Sequence, residues 1–326
     1  MSGSPFSGRK VAVGIAKESV RGTGVNPAFW LGWTATDLAD MGKNQMNKSA
    51  INVLDENQSS VLVEQTGGGK IDGIVPDQGI GLVLYSLFGG YASALHAGET
   101  LVHDHTFTEN QSNQTQSVTL TRKDPNVTNQ FALSMLKSLS LDVVAGDYVK
   151  FSSDWITQPS TTATVTPAFV QENNFIAKNA TLKFATTVAG LGAATPVIVK
   201  DVKLNFDKKV NPYFVIGQNN PNDIFAEGFT LKGDMTLLYT DDTYKNYRFN
   251  NTPMAALLDI KNTAVTIGTT SSPELQLQLS QAYFTDWKPA YPVDGMVEQT
   301  VTFEGTFSIS SGYEAQAILT NLVTTY

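Results

Sequence analysis

The chain has 326 residues, a formal net charge of −8 and a pI near 4.9. No basic patch is denser than Arg122-Lys123 or Lys208-Lys209, which excludes tight nucleic-acid binding, because that affinity comes chiefly from neutralised phosphates. Hydrophobic residues at 41% and charged residues at only 16% describe a globular, polar-uncharged chain, with a length prior of about two domains.

Cysteine is absent, so no disulfide framework, thiolate nucleophile or cysteine metal site is available. The opening MSGSPFSGRKVAVGIAKE has no apolar core of signal-peptide length, and no run approaches the roughly 18 apolar residues of a membrane span. These features predict a soluble protein, made and folded in the cytoplasm, with no membrane partner.

In chain order, residues Gly24 to Gly42 are weakly periodic and read as a long loop. Ser59 to Gly89 then reads as strand, turn, strand and short helix. Within it, Gln65 to Lys70 (QTGGGK) resembles a phosphate loop but has Glu64 and Ile71 where that motif needs glycine and Ser or Thr. A glycine hairpin turn is the expected reading. Asp77 to Phe88 suits a helix with an Asp cap and a face of Ile80, Leu84, Leu87 and Phe88. Gly90 to Asn113 reads as a second long loop. Both loops are expected to contact neighbouring subunits, since long loops in compact domains usually bind something.

Val149, Phe151 and Trp155 alternate with Lys150, Ser152 and Asp154. Gln158 to Asn174 is Thr- and Pro-rich and reads as a linker. Beyond it, Phe229 to Tyr239, Leu275 to Leu279 and Gln299 to Ile309 alternate apolar with polar residues. Asp242 to Phe249 suits a short helix. Gly312 to Leu322 places Ala315, Ile318, Leu319 and Leu322 at helical spacing. One buried and one polar face per strand is the signature of antiparallel sheets. The fold class is all-β with minor α.

The order of parts repeats. The stretch around Gly73 (Ser59 to Gly89) has the same sequence of elements as the stretch around Gly233 (Ala226 to Asn250). Leu139 to Ile156 is echoed by Ala282 to Ile309, which makes Gly146 and Gly295 a second landmark pair. Offsets of 160 and 149 residues indicate a tandem duplication of one β-module. The predicted domains are 1–157, a first module with an N-terminal arm; 158–174, the linker; and 175–326, a second module.

Catalytic signals are weak. His103 and His105 lie two apart, with His96 upstream, and a strand would point the pair the same way. No third ligand is evident, and zinc needs at least three protein ligands. Asp241-Asp242 or Asp286 could be imagined as a glycosidase pair, but acidic residues at strand ends and turns are ordinary. No catalytic, cofactor or metal residue is predicted, no cofactor is implied, and the chain does not read as an enzyme.

Several segments taken together carry a resemblance: Gly24-Val25-Asn26-Pro27-Ala28-Phe29-Trp30, Asp55-Glu56-Asn57, Lys70-Ile71-Asp72-Gly73, Asp77-Gln78-Gly79-Ile80-Gly81 and Gln299-Thr300-Val301-Thr302-Phe303-Glu304-Gly305. In this order the chain, from about Lys10 to Tyr326, resembles the major tail tube proteins of long-tailed (siphovirus-type) bacteriophages. The resemblance implies two tandem tail-tube-type β-sandwich or barrel modules, each with one flanking short helix. It implies a structural virion protein assembled in the host cytoplasm: homotrimeric, pseudo-sixfold rings that stack into the tail tube and form the channel for genome ejection.

The implied partners are the chain itself, the tape-measure protein, the tail terminator, the distal tail or baseplate proteins, and double-stranded DNA in transit without tight binding. An acidic lumen would repel phosphates. The lumen-facing candidates are polar members of alternating strands: Glu64, Lys70, Asp72, Asp154, Lys232, Asp234 and Glu304. The first rival reading is a virion adhesin or carbohydrate-binding β-sandwich that uses Trp30, Trp33, Trp155 and Trp287. A β-rich hydrolase and a contractile-tail or secretion-system tube protein are further rivals.

Overall fold

The computed structural model describes residues 4–326. The first half contains β1 (Ala12–Lys17), β2 (Phe29–Leu31), β3 (Trp33–Thr36), β4 (Ala39–Asn47), β5 (Ser59–Ile74), α1 (Ile80–Phe88), β6 (Gly89–Leu95), β7 (His103–Glu109), β8 (Val118–Lys123), β9 (Thr128–Val144), β10 (Lys150–Thr157) and β11 (Thr161–Thr162). The second half contains β12 (Ala180–Ala185), β13 (Asp201–Tyr213), β14 (Asp223–Leu238), α2 (Thr243–Phe249), β15 (Met254–Lys261), β16 (Glu274–Ala290), β17 (Glu298–Gly305) and β18 (Ala315–Asn321). Every strand ladder is antiparallel.

The halves repeat one pairing scheme. In the first, the β4–β5 hairpin precedes α1, and β8 then pairs with the near half of β9 while β1 lies on β8. β10 joins the far half of β9 to β5, and β11 lies on the near half of β9. In the second half β13, β14, α2, β15, β16, β17, β18 and β12 take the places of β4, β5, α1, β8, β9, β10, β11 and β1. β3 continues the place of β13 along β5, and the first half alone adds β2 and the β6–β7 hairpin.

Both glycine landmarks fall at matching places. Gly73 faces Phe151 across β5–β10, and Gly233 faces Phe303 across β14–β17. A Cβ on either glycine would run into that phenyl ring. In each half, therefore, a buried Phe lies flat over bare backbone, filling the space that a side chain would take. Gly146, at φ +87°, makes the β9–β10 turn, a conformation that costs glycine little. Gly295 lies in the corresponding β16–β17 connection.

Several local expectations are corrected. Gly67, Gly68 and Gly69 form no turn; β5 runs through them, with Gly68 and Gly69 at φ +155° and +140°. The strand there leaves β10 to continue as a hairpin with β4. Gly90 to Asn113 is mostly the β6–β7 hairpin, with Phe107 and His105 fully buried. Gly24 to Gly42 contains β2, β3 and the start of β4. Asp77 does not cap α1: its carboxylate accepts from Asn173, and the N-cap is Gly79, whose N–H meets Glu172 Oε1 at 2.5 Å. Every residue of α1 is buried, so the helix is apolar all round, as an enclosed helix must be. Gly312 to Leu322 is no helix; Ala315, Ala317 and Leu319 point inward from β18, a strand held between β16 and β7. Alternation on β17 stops at Gly305, beyond which Phe307 and Ile309 are exposed.

The halves are not independent beads. One hydrophobic cluster runs through both, from Val13 and Phe151 to Phe303 and Leu319. Two sheets cross the boundary, through β9–β13 on one side and β7–β18 on the other.

Candidate functional site

The β9–β13 crossing creates a single eight-stranded sheet in the order β4–β5–β10–β9–β13–β14–β17–β16. Cross-strand partners share a face, so register alone sorts the side chains. One row reads Gly73, Phe151, Leu141, Leu204, Gly233, Phe303 and Phe284 and packs into the core. The adjacent row reads Asp72, Ser152, Ser140, Asn205, Lys232, Glu304 and Tyr283 and points away from it.

This outward face gathers most of the predicted site residues. Asp72, Lys232 and Glu304 lie in one row, Asp234 in the row on one side, and Lys70 and Asp154 in the row on the other. Glu64 stands apart. It lies on the β4–β5 arm beyond the end of β10, paired with Lys43 at 2.7 Å. The same face also carries Asp142, Lys203, Asp286 and Lys288, and Lys137 reaches Asp154. Alternation in Asp201 to Asp207 (DVKLNFD) was the available signal for Lys203: Val202, Leu204 and Phe206 are buried and Lys203, Asn205 and Asp207 are not.

Charges on the face are interleaved. Lys232 meets Glu304 at 2.7 Å, Lys137 meets Asp154 at 2.9 Å, Lys203 meets Asp142 at 3.5 Å, and Lys288 pairs with Asp286. The Glu304 carboxylate raises the Lys232 ammonium, and the Lys288 ammonium lowers the Asp286 carboxyl. Asp234 accepts from Thr302 Oγ1 at 2.7 Å, and Asp72 accepts from Ser152. Exposed pairs of this kind add little stability, typically below about 1 kcal/mol. They do fix a mesh of alternating sign, in keeping with the lysines among the candidates and unlike a purely acidic surface.

The other candidate chemistries are occupied by structure. Both ring nitrogens of His105 are bonded, to Tyr91 Oη and Asn321 Oδ1 at 3.0 Å each, and burial lowers its pKa. Asp242 is held by Tyr239 and Lys245, and these bonds keep its carboxyl low, the wrong direction for a general acid. Trp30 and Trp155 are buried, Trp33 Nε1 donates to Val11 O, and Trp287 Nε1 donates to Gln299 Oε1. No exposed tryptophan platform for a sugar remains.

Both edges of the eight-stranded sheet stay unpaired among the described residues. At one end, β3 and β4 pair only with β5; at the other, Tyr283–Ala290 of β16 pairs only with β17. The matching edges in mid-sheet, β13 and the far half of β9, are joined to each other.

No curated protein sequence matches the chain. A solved structure of the SPP1 tail tube, obtained by solid-state NMR with cryo-electron microscopy, aligns with 46% of this chain and 81% of its own, at 11% identity and a TM-score of 0.33. The sequence pattern of the phage tail tube proteins matches residues 8–306, and the chain belongs to that family: a structural, non-enzymatic virion component that assembles with itself into a tube.

Proposed function

We propose that three copies close head to tail into a ring, that rings stack into the tail tube, and that the interleaved face of the eight-stranded sheet lines its channel. The observation that carries this reading is the β9–β13 seam. Inside one chain it joins the two halves by the same edges that stand free at the chain's ends, because β16 corresponds to β9 and β3–β4 to β13. Repeating that seam between chains would leave neither end of the eight-stranded sheet open, and a sheet closed on itself escapes edge-to-edge aggregation along it. A head-to-tail contact makes a ring if its rotation closes. Three chains of two units give six wedges, with the duplicated modules meeting near residues 158–174.

Lys137, Lys203, Lys232 and Lys288, each paired with a carboxylate, would leave DNA few free cations to meet, so the genome would pass without sticking. The tape-measure protein would fill the channel before ejection, the terminator and distal tail proteins would cap the tube, and assembly would take place in the host cytoplasm. Averaged electron micrographs of purified filaments test the ring: threefold symmetry supports it, and six chains per ring overturn it. Replacing Glu304 and Asp234 with lysine tests the lumen. Ejection should slow while tubes still form, and unchanged ejection would count against a channel face.

A further inference from the structure

The two long hairpins of the chain end differently. The outer end of β13–β14 is seated on the first half. Arg21 Nε donates to Asp223 Oδ1 at 2.9 Å and its other nitrogens reach the Ile224 and Thr115 carbonyls. Ala226 N donates to Asn113 O at 3.2 Å and Gln158 Nε2 to Pro221 O at 3.0 Å. Val210 and Ile224 pack on Leu133 and Met135. That seat is built from four segments: the stretch after β1, the approach to β8, the near half of β9 and the residue after β10.

The corresponding β4–β5 arm is held to its own chain near its base, where Gln65 N donates to Asn219 O at 2.7 Å and Asp40 accepts from Ser160, but its apolar side chains stay open. Met41, Met46, Val61, Leu62 and Val63 are each 37–63% exposed, a cluster that a monomer seldom leaves open to water without a partner for it.

Carried into the second half, the four seat segments become the stretch after β12, the approach to β15, the near half of β16 and the stretch after β17. Those segments border an open cleft of about 370 Å³, through Thr186–Ala189, Pro253–Ala255, Ser280–Gln281 and Ser308–Ser311. None of its lining side chains is charged. The arm stretch Ser59–Val63 (SSVLV) is uncharged as well. The arm does not serve its own cleft, since β4 and β16 lie at opposite ends of the sheet, roughly 34 Å apart at about 4.8 Å per strand spacing.

We propose that the β4–β5 arm of one copy seats in this cleft of the adjacent copy in the ring, as the β13–β14 end seats within the chain. The inference rests on the ring proposed above and assigns its second contact surface. Val61 to Val63 enter the cleft, and its hydroxyls meet the arm's backbone.

The cysteine-free chain allows a direct test. Leu62→Cys with Ala189→Cys, and separately Val61→Cys with Ser311→Cys, are assembled under reducing conditions and then oxidised. The expected product is a covalent three-chain species that does not extend further. Ladders longer than three chains would mean that the arm reaches another ring, and would overturn the proposal. Threefold tubes without a link in either pair would overturn the seat and leave the ring standing; filaments lacking threefold symmetry would overturn the ring itself. As a second readout, Leu62→Glu should abolish tubes at unchanged Tm, and normal tubes from that variant would likewise sink the seat.

Discussion

The two halves share their strand scheme and their glycine–phenylalanine contact but differ in what surrounds it. The first half encloses an entirely buried helix, carries the inserted β2 and β6–β7 strands and sends out an arm with exposed apolar side chains. The second has an exposed helix with no buried residue, held by Tyr244 and Tyr247 against Phe284, and its arm is already docked. The shared scaffold is thus kept where the strands pair, and the additions belong to the first half alone. Each half uses one of its sheet edges at the β9–β13 seam and leaves the other open.

The sharpest way to break this comparison is to remove the shared contact. Phe151→Ala and Phe303→Ala should each cost about 3–5 kcal/mol, because a buried ring is lost over a glycine that cannot fill the gap. Since the core is continuous, either variant should lower the Tm of one cooperative transition. Two separate calorimetric transitions would show that the halves melt alone. Next in size, Arg21→Ala removes the clamp on the docked arm and leaves Asp223 without its cation, at a cost of about 2–3 kcal/mol. Limited proteolysis with mass spectrometry should then reveal new cuts between Tyr213 and Asp223.

A smaller effect is expected from pH. Burial pushes the Glu172 and Glu314 carboxyls up to about 7, helped by nearby Asp77 and Glu109 respectively. Their folded values lie above the unfolded ones, so the folded chain holds extra protons between about pH 4.5 and 7. Stability from these groups is complete below that window and is lost as pH rises through it. The Tm should fall between about pH 5 and 7, and Glu172→Gln with Glu314→Gln should flatten that slope. Smallest of all, Lys203→Ala breaks the exposed Asp142 pair at the β9–β13 seam and should change stability by less than about 1 kcal/mol. A chemical-denaturation shift as large as that of Arg21→Ala would mean that the exposed seam, not the docked arm, holds the halves together.

Much of the shared part was legible from residues alone. Gly73 and Gly233 are structurally matched because a bare backbone under an aromatic ring demands glycine, and Gly146 and Gly295 fall in corresponding connections, although only Gly146 has a left-handed φ. Period-two alternation placed Lys70, Asp72, Asp154, Lys232, Asp234 and Glu304 on one face. What could not be read depends on distant partners. Ala315, Ile318, Leu319 and Leu322 fit helical spacing, yet Ala315, Ala317 and Leu319 fit a strand equally well, and only β7 and β16 on either side decide the matter. His105 disguised β7 by counting as polar, whereas its ring is buried between Tyr91 and Asn321. The glycine run looked like a turn because Gly-Gly pairs are common hairpin residues; in fact Gly68 and Gly69 lie inside β5, at φ +155° and +140°, where the strand leaves β10 for β4.

The β7–β18 ladder also has a consequence for how the chain is made. β7 is translated well before its partner β18. At about 5–20 residues per second, the roughly 200 residues between them take on the order of 10–40 s. For that interval the nascent protein carries an open strand edge that nothing later in the chain can yet cover, and contacts of such long sequence separation form slowly in any case. The β7 edge is therefore covered only once β18 has emerged, which makes this ladder a late contact in the folding of the chain.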